Sequence, residues 1–290
     1  MKVLVTGTAG MLGQEIESVF KKKNEVIGID LALKGRNSVD ITKPKQVINF
    51  IKQEMPDLVI HCIGLRDVDE CENNRNKELL VNTIGTKNVA LATKMIDCPM
   101  VHISSDSVFA GDESKAPYTE LDRPNPVNFY GYTKWKAEEI VSSLVNKYYI
   151  IRVPLLFGNK GNKKENMIHQ VCENLQKGEK VYGAADILTK PIWTRDLAEV
   201  LLQITQSDYY GIYHIPSNGP LASRYDIMLE IAKIKGLDVT NIVKVKAEDT
   251  KIAKRPYCNY FNGIAFKNAF KIKLDDWRNS LKKCINEMEA

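Results

Sequence analysis

Several runs in the first half of the chain are apolar nearly throughout. KVLVTG (2–7), EVIGID (25–30), DLVIHC (57–62), MVHIS (100–104) and YYIIRV (148–153) are rich in β-branched residues and have strand length. Strands read this way when helices cover both faces of a sheet. Between them, helical patterns fall over about 11–23, 44–54, 76–96 and 130–147, and Pro44 opens the second, where a first-turn proline forfeits no hydrogen bond. Strands alternating with helices predict an α/β fold, a doubly wound parallel sheet of the Rossmann kind.

The alternation fades after residue 153. Helical patterns near 163–177, 194–206, 223–235 and 274–288 are separated by short strands such as GIYHI (211–215). The expected division is therefore a Rossmann domain over 1–153 and a smaller α/β substrate lobe over 154–290, part of which returns to the first sheet.

Composition narrows the class. At 290 residues, with 44% hydrophobic and 27% charged positions, the chain has the make-up of a soluble globular protein. The net charge of +5 is spread along the sequence, so a solvated basic surface is expected rather than a nucleic-acid-binding tract. Six cysteines lie far apart without a CxxC, and four histidines make no metal-ligand spacing with them. Reduced cysteines, no bound metal and a cytoplasmic location are the expectation. MKVLVTG runs straight into a fold motif, so no signal peptide is expected, and no apolar run reaches membrane-spanning length.

The motif is VTGTAGMLG. Gly7, Gly10 and Gly13 follow the first strand and open the first helix. Gly7 suits a tight turn, Gly10 lets backbone approach a pyrophosphate, and Gly13 lets helix pack on strand. The helix N-terminus supplies unpaired N–H groups and a positive dipole end. Asp30 at the tip of the second strand is placed to bond the adenosine ribose and favours NAD, while Lys34 and Arg36 just beyond could hold the 2′-phosphate of NADP. Both cofactors stay open.

YGYTKWK (130–136) carries two tyrosine–lysine pairs one helical turn apart. At 100° per residue, Tyr130 and Lys134 share the apolar face of Ala137, Ile140, Val141, Leu144 and Val145, whereas Tyr132 and Lys136 turn away from it. The inward pair is the candidate. A phenol is a poor acid at neutral pH, and a neighbouring ammonium is expected to lower its pKa. Ser104 and Ser105 end the fourth strand, at the carboxyl edge where open sheets bind ligands. A Ser–Tyr–Lys trio beside a nicotinamide suits hydride transfer at a carbonyl.

These segments resemble the extended short-chain dehydrogenase/reductases, and among them the dTDP-4-dehydrorhamnose reductase family. The similarity runs nearly end to end through VTGTAGMLGQE, VDITKPKQV, RDVDECE, VNTIGTKNVA, HISSDSVFAG, PYTELDRPNPVNFYGYTKWKAEE, IIRVPLLFG, PIWTRDLAEVL and AKRPYCNYFNGIAF. It implies catalytic roles for Ser105, Tyr130 and Lys134. It further implies cofactor contacts at Gly10, Met11, Leu12, Asp30, Asp40, Ile41, Ile63, Gly64 and Leu65. The sugar is implied near Val68, Ser105, Asp106, Ser107 and Leu155, with Arg195 and Arg255 gripping the nucleotide diphosphate. A guanidinium at 255 suits a phosphate or a structural salt bridge equally. Ser107 and Leu155 stand where the family carries a tyrosine and a tryptophan, which implies a changed sugar pocket.

The implied function is an NAD(P)H-dependent reductase or dehydrogenase acting at C4 of a nucleotide-linked 4-keto-6-deoxy sugar, in a possible homodimer. Two alternatives share the scaffold. One is a sugar-nucleotide 4-epimerase. The other is a non-catalytic NADP-binding subunit like the regulatory β subunit of methionine adenosyltransferase, which RVPLLFG resembles.

Overall fold

A computed structural model describes residues 1–249 and 252–288. Strands β1 (Lys2–Thr6), β2 (Glu25–Ile29), β3 (Leu58–His61), β4 (Met100–Ser105) and β5 (Tyr148–Val153) form one sheet with β9 (Gly211–His214), in the order β2-β1-β3-β4-β5-β9. All five pairings in it are parallel. Strand order reverses beside β1, which opens a crevice at the carboxyl ends there. One face carries α1 (Met11–Phe20) and α8 (Thr194–Ile204), burying Ile16, Phe20, Leu197 and Leu201 on Val3, Val5 and Ile60. The other face carries α2 (Pro44–Glu54), α5 (Thr86–Met95) and α6 (Phe129–Leu144) over Leu4, Val59 and Met100. Both faces are thus dry, as the apolar strand runs require.

The single helix expected over 76–96 is broken. After α3 (Val68–Asn73) and α4 (Arg75–Glu78) the chain makes a π-helical segment, Leu79–Gly85, before α5. Asp67 caps α3 by accepting from the Asp69 and Glu70 N–H groups, a start signal hidden in an acidic run. The helix expected to reach 147 stops at Leu144, because Val145 turns extended to feed β5.

Residues beyond 153 divide between two places. Helix α8 and strand β9 join the first sheet. Helix α10 (Ile264–Phe270) also packs there through Phe266, and most of the remainder builds a second core from Ile168, Val171, Trp193, Ile227, Ile231, Trp277 and Leu281. Its frame is α7 (Met167–Gln176), α9 (Arg224–Lys235) and α11 (Trp277–Glu287), with two small sheets pairing β6 (Leu156–Phe157) with β8 (Ile192–Trp193) and β7 (Val181–Ala184) with β10 (Ile242–Val245). No helix among the described residues is long and apolar enough to cross a membrane.

Candidate active site

The dinucleotide cradle forms where β1 hands over to α1. Gly7 takes φ +84°, outside the range of most side chains, and a Cβ on Gly13 would lie 2.0 Å from the Gly7 carbonyl oxygen. Only glycine lets α1 start this close to the strand. Gly10 caps α1 with no side-chain hydrogen bond, so the first-turn N–H groups point outward unclaimed. Asp30 stands beside them, its carboxylate accepting from the Ala9 N–H at 3.2 Å and the Ala32 N–H at 2.9 Å. A helix start open to phosphate and a carboxylate beside it fit a dinucleotide.

The cradle opens into a cleft of about 1110 Å³. A single-ligand pocket occupies roughly 300–1000 Å³, so this cleft has room for a cofactor and a second ligand. Gly7, Gly10, Met11, Leu12, Gly13, Asp30, Asp40, Ile41, Ile63, Gly64 and Leu65 all line it. So do Val68, Ser105, Asp106, Ser107, Tyr130, Lys134, Leu155 and Arg255.

Tyr130 and Lys134 come from the first turns of α6, which Asn128 caps by accepting from the Gly131 N–H at 2.8 Å. This end is pressed onto the segment after β4, since a Cβ on Gly131 would sit 2.0 Å from the Ser107 carbonyl oxygen. That contact sets the trio's spacing. Lys134 is buried and donates to the Ile103 carbonyl at 2.6 Å, while Tyr132 is exposed and Lys136 pairs with Glu139 outside. The inward and outward pairs are thus separated as the helical angles predict.

Charges at the site are shaped by burial. It pulls Lys134 down to about 8, with Glu138 and Glu78 opposing. It pushes Asp106 up to about 7, although the Ser105 and Ser107 hydroxyls bond its Oδ1 at 3.1 and 3.3 Å. The Tyr130 phenol is likewise pushed up by burial, with the Ser105 side chain pulling back and the Asp106 and Glu78 carboxylates adding to the rise. The expected lowering of this phenol by Lys134 is therefore corrected: desolvation dominates, and the ammonium is turned to Ile103. Behind β4 a buried network holds the trio's floor. Ser104 donates to Glu138 at 2.5 Å, Arg152 grips both Glu138 oxygens at 2.9 and 2.7 Å, and its far nitrogen meets His214 at 3.1 Å.

Arg195 is a second correction. It lies outside the cleft lining, paired with Glu15 at 3.2 Å and Glu287 at 2.6 Å and stacked over Trp193. The cause is the return of α8 to the first sheet, which lays Arg195 against α1. Arg255 stays in the cleft while pairing with Asp69 at 3.0 Å, so both of its expected uses meet in one place. Beside it stands Arg224, the first residue of α9, which the sequence reading missed. Its side chain is exposed, and the Arg255 and Arg66 guanidiniums lie near enough to act on its charge. Serine followed three residues on by aspartate, a capping box at Ser223 and Asp226, was the available signal that Arg224 begins a helix. Arg36, a candidate for the 2′-phosphate, is held by Glu54 at 2.8 Å.

Cradle and trio sharing one cleft above a doubly wound sheet place the chain among the extended short-chain dehydrogenase/reductases. It belongs to the family described as RmlD substrate binding domain, whose model matches residues 1–290. It is 29% identical to the spore coat polysaccharide biosynthesis protein SpsK of Bacillus subtilis (strain 168), covering all of this chain and 98% of that protein. Two solved structures resemble it closely. A dTDP-4-dehydrorhamnose reductase ortholog from Clostridium acetobutylicum superposes with a TM-score of 0.90 at 34% identity, covering 100% of both chains. A dTDP-4-dehydrorhamnose reductase from Bacillus anthracis str. Ames, solved in complex with NADP, gives 0.91 at 28% identity over 99% of each.

Proposed function

We propose that this chain reduces the C4 carbonyl of a nucleotide-linked 4-keto-6-deoxy sugar. The observation that carries this reading is the convergence of Ser105, Tyr130 and Lys134 in the cleft that also holds the glycine cradle. The 7–13 loop and Asp30 would hold NADH or NADPH, which would supply the hydride when bound. Tyr130 gives its phenolic proton to the developing alkoxide, and the Ser105 hydroxyl donates a hydrogen bond to the same oxygen. Lys134, cationic below its pKa of about 8 and turned toward the Ile103 carbonyl, would hold the nicotinamide ribose. A high phenol pKa suits this direction, because Tyr130 starts protonated.

Arg224 and Arg255 face the position of the substrate diphosphate, in place of the Arg195 assigned from sequence. Residues 1–153 are the cofactor unit, and 154–290 mainly the substrate unit apart from α8 and β9. Ser107 and Leu155 leave the sugar pocket without two aromatic walls, so it suits a keto sugar other than dTDP-4-dehydrorhamnose. A homodimer is also proposed, using the exposed Leu79, Leu80, Ile84 and Tyr132. A cytoplasmic setting is proposed as well.

The test is incubation with dTDP- and UDP-linked 4-keto-6-deoxy sugars and either reduced nicotinamide, following absorbance loss and product mass. A gain of two hydrogens with one nicotinamide oxidised is expected. Interconversion of C4 epimers without net oxidation of cofactor would favour the epimerase alternative. Cofactor binding with no turnover of any keto sugar would favour the non-catalytic one.

A further inference from the structure

The proposed chemistry leaves one fully buried carboxylate beside the trio without a role. Glu78 ends α4 with 0% exposure, just ahead of the π-helical segment. Its Oε1 accepts from the Thr133 hydroxyl at 2.9 Å and from the Asn82 side-chain amide, and Oε2 has no hydrogen-bond partner among the described residues.

Both contacts lead to working parts. Asn82 accepts from the Leu65 N–H at 2.7 Å and donates to the Leu65 carbonyl at 3.0 Å, fixing a residue that lines the cofactor cleft. Thr133 adjoins Lys134 in sequence, and its hydroxyl also lies 2.9 Å from the Tyr130 carbonyl. The π-helical segment has its reason here. Its wider turn re-aims side chains, as such turns do at functional sites, and Asn82 is swung between Glu78 and Leu65.

Charge bookkeeping points the same way. The two buried carboxylates acting on Lys134 are Glu138 and Glu78. Glu138 is already neutralised by the two-bond pair with Arg152. Glu78 meets no guanidinium; burial raises its pKa, and Lys134 is the cation that opposes the rise and favours the carboxylate. An unpaired buried carboxylate is costly, so the two charges support each other. Facing this centre are Cys71 from α3, Tyr130 and Glu138 from α6, Cys62 after β3 and Asp106 after β4, while His61 and His102 lie buried and neutral near Lys134.

We propose that Glu78 is a positioning residue for the trio, clasping the Leu65 loop to helix α6 and serving as the counter-charge of the Lys134 ammonium. The proposal rests on Tyr130 and Lys134 being the working pair, and its test needs no sugar substrate. Removing an anion makes a nearby ammonium lose its proton more readily, so Glu78→Gln should lower the Lys134 midpoint by about one pH unit. The readout is the Cε chemical shift in full-length protein carrying isotope-labelled lysine, with Lys134 assigned through Lys134→Arg. Glu78→Asp keeps the charge and should titrate near wild type. Where a keto sugar is turned over, the alkaline limb of kcat should move with the Lys134 midpoint while KM for the sugar nucleotide holds. Glu78→Leu is the second neutral variant; removing one partner of a buried charge pair costs stability, so its fold is checked first by melting temperature. An unchanged Lys134 midpoint in a folded neutral variant, with only a lower melting temperature, would overturn the proposal. A shifted midpoint in a protein that reduces no keto sugar would sustain it and defeat only the sugar assignment.

Discussion

The choice between NADH and NADPH turns on three residues at the tip of β2. A 2′-phosphate carries close to two negative charges and would arrive beside the Asp30 carboxylate. At about 5 Å, in a groove screened by water and salt, that repulsion is worth roughly 1–2 kcal/mol, or about 5–30-fold in affinity. A free guanidinium could offset it, but Arg36 is committed to Glu54, a nearly buried carboxylate that also binds Lys2 at 3.0 Å. NADH should therefore bind more tightly than NADPH, measured by titrating each against nicotinamide fluorescence. Asp30→Asn should narrow the gap by strengthening NADPH. Glu54→Gln frees Arg36 and should strengthen NADPH by about threefold while leaving NADH unchanged, in keeping with roughly 0.2–1 kcal/mol for a solvated ion pair. NADPH binding as tightly as NADH in the unaltered chain would refute the reasoning, and would mean that Arg36 or Lys34 reaches the phosphate in spite of Glu54.

Other outcomes can be checked alongside. Tyr130→Phe should abolish turnover and spare cofactor affinity, whereas Tyr132→Phe should be nearly silent in both; equal activity losses would sink the helix-face assignment. Arg224→Ala should raise KM for the sugar nucleotide about tenfold, as expected for a lost charge-assisted phosphate contact, while Arg195→Ala should leave KM alone and lower the melting temperature. His61 and His214 are buried and pulled down to about 3, His61 by burial and His214 by burial and Arg152. Below the unfolded value near 6.5 the unfolded chain then binds more protons, so stability should fall from pH 6.5 toward pH 4 by about 1.4 kcal/mol per unit per histidine. A flat melting temperature across that range would show that these imidazoles are protonated in the folded chain.

The local patterns that carry the fold were legible because they are local. Apolar strand runs, Pro44 at a helix start and the glycines at 7, 10 and 13 each act through neighbours a few residues away. The inward face of α6 was equally legible, since 100° per residue suffices to separate Tyr130 and Lys134 from Tyr132 and Lys136. The π-helical segment was not, because it exists to satisfy Glu78, Asn82 and Leu65 together, and those contacts span up to 17 residues.

The sequence by itself determined the cradle, the trio and the sheet that carries them, since periodicity and spacing express local geometry. Only the tertiary structure decided the charges. Arg195 and Arg255 look alike in sequence, yet α8 folds back to lay one on Glu15 while the 253–256 segment turns the other into the cleft beside Arg224. Tyr130 looked like a phenol that Lys134 would make acidic, yet burial pushes its pKa upward. Partner choice and desolvation are set by which distant segments meet, and a one-dimensional pattern does not contain that information.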